Sequence, residues 1–211
     1  SFANQEDYAT FTDLLAENQI TFTDKEVKIV QAYTDLSDVM STRYFEAMDY
    51  NQTRKTMPVI SETAIKGLDL AKDESMMSGF SDDDASLFQM KDSGKLIIEG
   101  PNGAIETSFM GLEREFLVSS YFTFGMPVLL VDQSVFDEIA KKPDPSIQME
   151  STVYNGITIN HEANLDKANE LFMQASTDDY MNKSRPQLIV DMKTMMGLTM
   201  FIVAFLGLTF L

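Results

Sequence analysis

Pro127–Lys142 reads PVLLVDQSVFDEIAKK, and Val153–Ala175 reads VYNGITINHEANLDKANELFMQA. Pro127 to Val131 is a short apolar run of the kind that forms a buried strand. Ser134 to Lys142 follows at helical spacing, and Pro143-Asp144-Pro145 ends it, because proline cannot continue a helix. Val153 to Asn160 then alternates as a strand. Asn164 to Ala175 places Leu165, Ala168, Leu171, Phe172 and Ala175 on one face of a helix. This stretch therefore predicts strand–helix–strand–helix.

Upstream, Lys95–Glu99 and Ile105–Gly111 are predicted strands around Pro101-Asn102-Gly103, a strong turn signal. Glu115 to Phe124 reads as a long strand, Met57 to Ile60 as a short one, and Thr21 to Tyr33 as a third. Helical spacing predicts a helix over Glu6 to Glu17, a short one over Ser41–Asn51 and another over Asp82–Met90. Ser61 with Glu62 and Ile65 reads as an N-cap and a first turn stopped at Gly67. The expected fold is α+β: a split, two-lobe domain with a mixed sheet and packed helices. Residues 1–35 and 125–180 would form one lobe, 36–124 an inserted β-rich lobe, and 181–194 a connector.

The 211 residues carry 16 Lys+Arg against 33 Asp+Glu, a formal charge of −17. Nucleic-acid binders present a basic stripe, so that class is excluded. At 44% apolar residues the chain can bury a core. It has no Cys and a single His, which removes disulfides, thiolate zinc sites and most nucleophilic triads. The acidity is uneven. Met192–Leu211 holds one base, Lys193, and no acid, so without that one positive charge the rest carries −18.

Met195–Leu211, MMGLTMFIVAFLGLTFL, is 17 residues without charge, Asn, Gln or Pro. As a helix it would reach about 25 Å, against roughly 30 Å of hydrocarbon. It reads as the start of a transmembrane helix, and the chain, opening at Ser1, as a piece of a longer protein. The alternative is a buried core helix, which would normally keep a polar face.

Few residues suggest chemistry. His161 with Glu162 or Asp166 is the acid–base pair available to the one His, at a strand–helix junction where such residues cap. Asp82-Asp83-Asp84 lacks the alternating ligands of a calcium loop. Asp178-Asp179 reads as surface. Ser119-Ser120 is not in a nucleophile elbow. Met76-Met77 near Phe80, and Met48 near Tyr44-Phe45, read as core filling or as an adaptable apolar surface. Lys141-Lys142 and Arg54-Lys55 are adjacent basic pairs that could meet an anionic headgroup or pyrophosphate. Neither a catalytic residue, a metal nor a cofactor is expected.

Several stretches in order resemble one family. They are Lys91-Asp92-Ser93-Gly94; Gly111-Leu112 before Glu115-Phe116-Leu117-Val118-Ser119; Gly125-Met126-Pro127; Val131-Asp132 with Ser134 and Phe136; Lys167-Ala168-Asn169-Glu170-Leu171-Phe172; and Met200–Val203 with Phe205–Leu211. Together they are similar to the permease subunit of Bce-type, bacitracin-export ABC transporters of Gram-positive bacteria, related to FtsX-type permeases. The likeness runs from about Lys91 to the end and is weak from Thr34 to Ser86. The family carries a base directly after Gly-Leu, whereas here Glu113 stands there and Arg114 one later.

The resemblance implies a domain outside the cell, between the seventh and eighth membrane helices of a cell-membrane permease. Lys183, Arg185 and Lys193, ahead of the apolar tail, count mildly against that orientation. It also implies resistance to cell-wall-targeting antimicrobial peptides. The implied partners are the peptide, a lipid-linked wall precursor, a cytoplasmic ATPase subunit, a membrane histidine kinase and the membrane itself. Arg114 within the best-matched stretch, then Lys95, Lys141 and Lys142, are the bases expected to meet an anionic ligand. Two rival classes remain: a membrane-anchored cell-wall hydrolase using paired carboxylates, and a structural docking domain.

Overall fold

The computed structural model describes residues 2, 5–40, 54–80, 85–86, 89–115, 117–118, 123, 126–141, 152–177 and 182–209. Among them are seven strands: β1 Phe22–Asp35, β2 Arg54–Ser61, β3 Glu74–Ser78, β4 Gly94–Gly100, β5 Gly103–Glu113, β6 Val128–Val131 and β7 Thr152–Ile159. The helices are α1 Gln5–Glu17, α2 Gln133–Ala140, α3 Leu165–Ala175 and α4 Arg185–Thr209. The fold is α+β with a mixed sheet in the order β2-β6-β3-β5-β4-β1-β7.

The chain divides into a smaller unit, Ser1–Lys25 with Asn155–Leu211, and a larger one, Glu26–Tyr154. These boundaries differ from the expected 35/36 and 124/125. The cause is β6, which pairs in parallel with β2 and antiparallel with β3. That draws β6 and α2 into the larger unit, where Leu129, Val131, Val135, Phe136 and Ile139 join its core.

Within the larger unit the pairing closes on itself. Val30–Asp35 of β1 runs antiparallel to β2, while Thr34 and Asp35 also pair with Ile98 and Ile97 of β4. Six strands thus form a ring, which leaves few unpaired edges. Val30, Ala32, Met57, Val59, Met77, Leu96, Ile98 and Phe109 fill it. The β4–β5 hairpin turns at Pro101-Asn102 as predicted, with Gly103 at φ +129°, a conformation open to glycine. Asn102 Nδ2 donates to Glu138 Oε1 of α2 at 3.0 Å, fixing the turn against that helix.

β3 was not legible. Glu74-Ser75-Met76-Met77-Ser78 has weak strand propensity, yet Ser75 and Ser78 are buried. Their hydroxyls are satisfied: Ser75 Oγ lies 2.8 Å from Thr107 Oγ1, and Ser78 Oγ donates to the Glu115 carbonyl at 2.5 Å. Met77 and Phe80 are core, so Met77 fills space, while Met76 is half-buried. The long strand expected over Glu115–Phe124 is absent from its described residues, since none of Glu115, Leu117, Val118 and Thr123 lies in a strand. Ser61 caps as read, its hydroxyl accepting from Thr63 N, but the helix is one 3-10 turn, Glu62–Ala64. The helix expected over Ser41–Asn51 lies outside the described residues, as does most of Asp82–Met90.

In the smaller unit α1 and α3 pack their apolar faces together. Phe2, Phe11, Leu15, Ile20, Ala168, Leu171, Phe172 and Ala175 are buried there. Phe2 is held by reciprocal backbone bonds to Asn155, of 2.9 and 3.1 Å. Its ring centroid lies 5.2 Å from that of Phe11 and 5.0 Å from that of Phe172. α4 starts at Arg185, ten residues ahead of the apolar tail, and contains that tail as far as Thr209. Among the described residues no helix is long and apolar enough to cross a membrane.

Candidate functional site

The cations expected to meet an anion are spread over the larger unit. Lys95 lies on β4 opposite Ser108, and Arg114 directly follows β5. Six residues along a strand put them on the order of 20 Å apart. Lys141 sits at the C-cap of α2 and is exposed, while Lys142 lies outside the described residues. Lys95 is paired with Glu106, and that ion pair holds its ammonium above the ordinary lysine range. Arg54 and Lys55 open β2, where nothing is described of their side chains. Among the described residues, Lys95 and Arg114 are not brought into one cradle.

Asp38 is the centre of a small charged cluster in the larger unit. Its carboxylate accepts from Lys95 N at 2.9 Å and from Lys91 Nζ at 3.1 Å. The Lys95 N–H, then the Lys91 hydrogen bond and charge, hold its pKa below the ordinary value. Gly94 lies against it, and a Cβ there would meet Val39 Cγ1 at 2.8 Å. This gives the Lys91-Asp92-Ser93-Gly94 stretch a structural role: it anchors the loop after β1.

His161 occupies the N-cap position of the turn Glu162–Asn164 by its backbone, with no side-chain capping bond. His161, Glu162 and Asp166 are all exposed. No group of three or more His, Asp or Glu placed to hold a metal occurs among the described residues. Asp82-Asp83-Asp84, Asp178-Asp179 and Ser119-Ser120 lie outside them.

The smaller unit contains a groove of about 670 Å³ that the sequence did not reveal. Its walls come from β7, α3 and the head of α4. Ile159, Leu165, Phe172 and Ile189 give it apolar surface, and Lys183 and Arg185 line it with positive charge. Glu162, Asn160, Asn169 and Ser184 also line it. Ser184 builds its rim, for its Oγ accepts from Gln187 N at 3.2 Å, capping α4, and donates to Asn169 Oδ1 of α3 at 2.6 Å.

A buried carboxylate secures the segment beside the groove. Asp7 in the first turn of α1 is 2% exposed. Its Oδ2 accepts from Thr177 N at 2.9 Å and from Asn182 Nδ2 at 2.7 Å. The Thr177 hydroxyl also donates to it, and Asn182 Nδ2 lies 3.2 Å from Ser176 Oγ. Asp7 thereby ties α1 to both ends of the connection between α3 and α4. The readable signal was Lys183-Ser184-Arg185-Pro186, a cap with flanking bases before an apolar helix. No pattern marked Asp7, whose partners lie some 170 residues away.

No known family model matches the chain. Bacitracin export permease protein BceB of Bacillus subtilis (strain 168) is 35% identical over 212 residues, which cover 100% of the chain and 32% of that permease. The protein of the same name from Halalkalibacterium halodurans is 29% identical over 213 residues, covering 100% and 33%. The chain spans about a third of the length of these curated relatives. The likeness includes Thr34–Ser86, where the motifs alone were weak. From end to end the chain resembles a segment of the Bce-type bacitracin export permeases, the family to which its ordered motifs point.

Proposed function

We propose that the chain is the extracellular domain of a Bce-type ABC transporter permease, and that it meets cationic cell-wall-targeting peptides. The end-to-end likeness to two bacitracin export permeases carries this reading. The formal charge of −17 supports it independently, since an acidic body attracts cationic peptides and speeds their encounter. In this reading the domain binds and senses without catalysis, and ATP is hydrolysed by a separate cytoplasmic subunit. A histidine kinase in the membrane and a lipid-linked wall precursor are its further partners. Arg114, Lys95, Lys141 and Lys142 are separate contacts for an anionic group, because the described ones are spread across the larger unit. Met195–Leu211 enters the membrane.

The test is genetic. A permease lacking the segment equivalent to this chain, but still assembled with its ATPase subunit, should lose resistance to bacitracin-like peptides. Undiminished resistance in that variant would contradict the proposal.

A further inference from the structure

The groove in the smaller unit opens beside one edge of β7. Successive residues of a strand turn their N–H and C=O groups to opposite sides. Asn155 exchanges both backbone bonds with Phe2, at 2.9 and 3.1 Å. Asn160 N instead donates to the Thr21 carbonyl at 3.1 Å, on the side where β1 pairs. The alternation is therefore unbroken from Asn155 to Asn160, and Ile157 and Ile159 turn their N–H and C=O groups to the Phe2 side. Both residues line the groove. Among the described residues Phe2 meets this edge at one position, by an isolated antiparallel bridge. An edge of this kind is a template for a further extended segment.

The side chains agree with the backbone. Phe2, opposite Asn155, is buried with Phe11 and Phe172. Ile157 and Ile159 pack against the same cluster, whereas Thr158 between them is exposed. A strand laid along Ile157–Ile159 would turn alternate side chains into the groove and the others to solvent.

We infer that the groove is filled by the residues immediately upstream of Phe2 in the longer permease, added antiparallel to β7. The inference rests on the proposal that the chain is a segment of such a permease; it spans about a third of both relatives. Continuity selects this occupant. Because the bridge is antiparallel, the backbone running upstream from Phe2 travels along β7 from Asn155 towards Ile159. The residue two before Phe2 falls opposite Ile157, and the residue four before it falls opposite Ile159. Four residues, about 14 Å of strand, cover the open edge. A tethered segment is also present at high effective concentration, an advantage that a free peptide or a second copy lacks. The residues two and four before Phe2 are therefore apolar, and the one between them faces solvent beside Thr158.

The experiment uses the permease with its own upstream residues, any cysteine elsewhere being replaced by serine; this chain has none. Thr158→Cys is combined with a cysteine three residues before Phe2. That is a non-hydrogen-bonded antiparallel pair, with Cα atoms about 4.5 Å apart and within reach of a disulfide. Oxidation should close an intramolecular disulfide, roughly fivefold or more above the yield with the cysteine moved to two or four residues before Phe2. A second measurement needs no cysteine. The Ile157 and Ile159 amides should exchange with solvent roughly tenfold or more slowly in the permease than in the 211-residue chain. Absent crosslinking or equal crosslinking at the three positions, together with equal exchange, would overturn the inference. A disulfide between two permease copies would overturn it by giving the groove to a second copy. Protection of the two amides that appears only on adding a cationic peptide would overturn it by giving the groove to that ligand. Neither measurement reads resistance, so failure here is separate from failure of the resistance test.

Discussion

At Gly94 a Cβ would lie 2.8 Å from Val39 Cγ1 and 3.1 Å from both the Asp38 carbonyl and a carboxylate oxygen. Val39 is fully buried and Asp38 is held by two hydrogen bonds, so neither neighbour can retreat freely. Gly94→Ala should therefore destabilise the larger unit by about 1–3 kcal/mol through overpacking. A denaturant midpoint equal to that of the wild type would show that the loop after β1 yields. The sequence showed Lys91–Gly94 as a family stretch but gave no reason for it. Its partners lie more than fifty residues upstream, and only the fold brings them together. Asp7 was hidden for the same reason.

On the scale of elements, periodicity was informative wherever one face of an element packs on a core. α3 was read from Leu165, Ala168, Leu171, Phe172 and Ala175, and the last four are buried. Leu171→Asp should cost at least ~3 kcal/mol, because it places an unpaired charge among Phe2, Phe11 and Phe172. Thermal unfolding of the full chain checks this, and an unchanged midpoint would mean the face is not packed. β3 escaped notice because its serines are satisfied by Thr107 and the Glu115 carbonyl rather than by water. The groove escaped notice because its walls come from β7, α3 and α4, whose approach no spacing encodes.

The N-cap of α2 makes stability depend on pH. The Ser134 hydroxyl, with the Ser134 and Val135 N–H groups and the Lys72 charge adding to it against desolvation, holds Asp132 below its ordinary 3.8. A depressed folded pKa means that the cap's contribution is complete above about 3.8 and is lost as pH falls through the lower folded value. Stability should therefore fall below roughly pH 4. Asp132→Asn keeps a capping oxygen without the charge, so its acid limb should be shallower. An identical acid limb in the variant would assign the pH dependence to other carboxylates.

For the whole molecule, charge and hydropathy are divided along the chain. The acids lie ahead of Met192, and the last twenty residues carry one base and no acid. That division was legible in composition alone, and the α+β class in the order of the predicted strands and helices. The lobe boundaries were not, because a four-residue strand, β6, joins β2 and β3 across a long stretch of sequence. The functional account rests on the likeness to bacitracin export permeases and on the charge of the body. If the field of that body captures cationic peptides, the interaction must be screened by salt. The Debye length shrinks from ~10 Å at 0.1 M to ~3 Å at 1 M, whereas apolar burial is not weakened by salting-out conditions. The direct measurement is the affinity of the full chain for a cationic cell-wall-targeting peptide at those two salt concentrations. The account predicts a fall of at least tenfold at the higher one. An affinity that does not change with salt would contradict it.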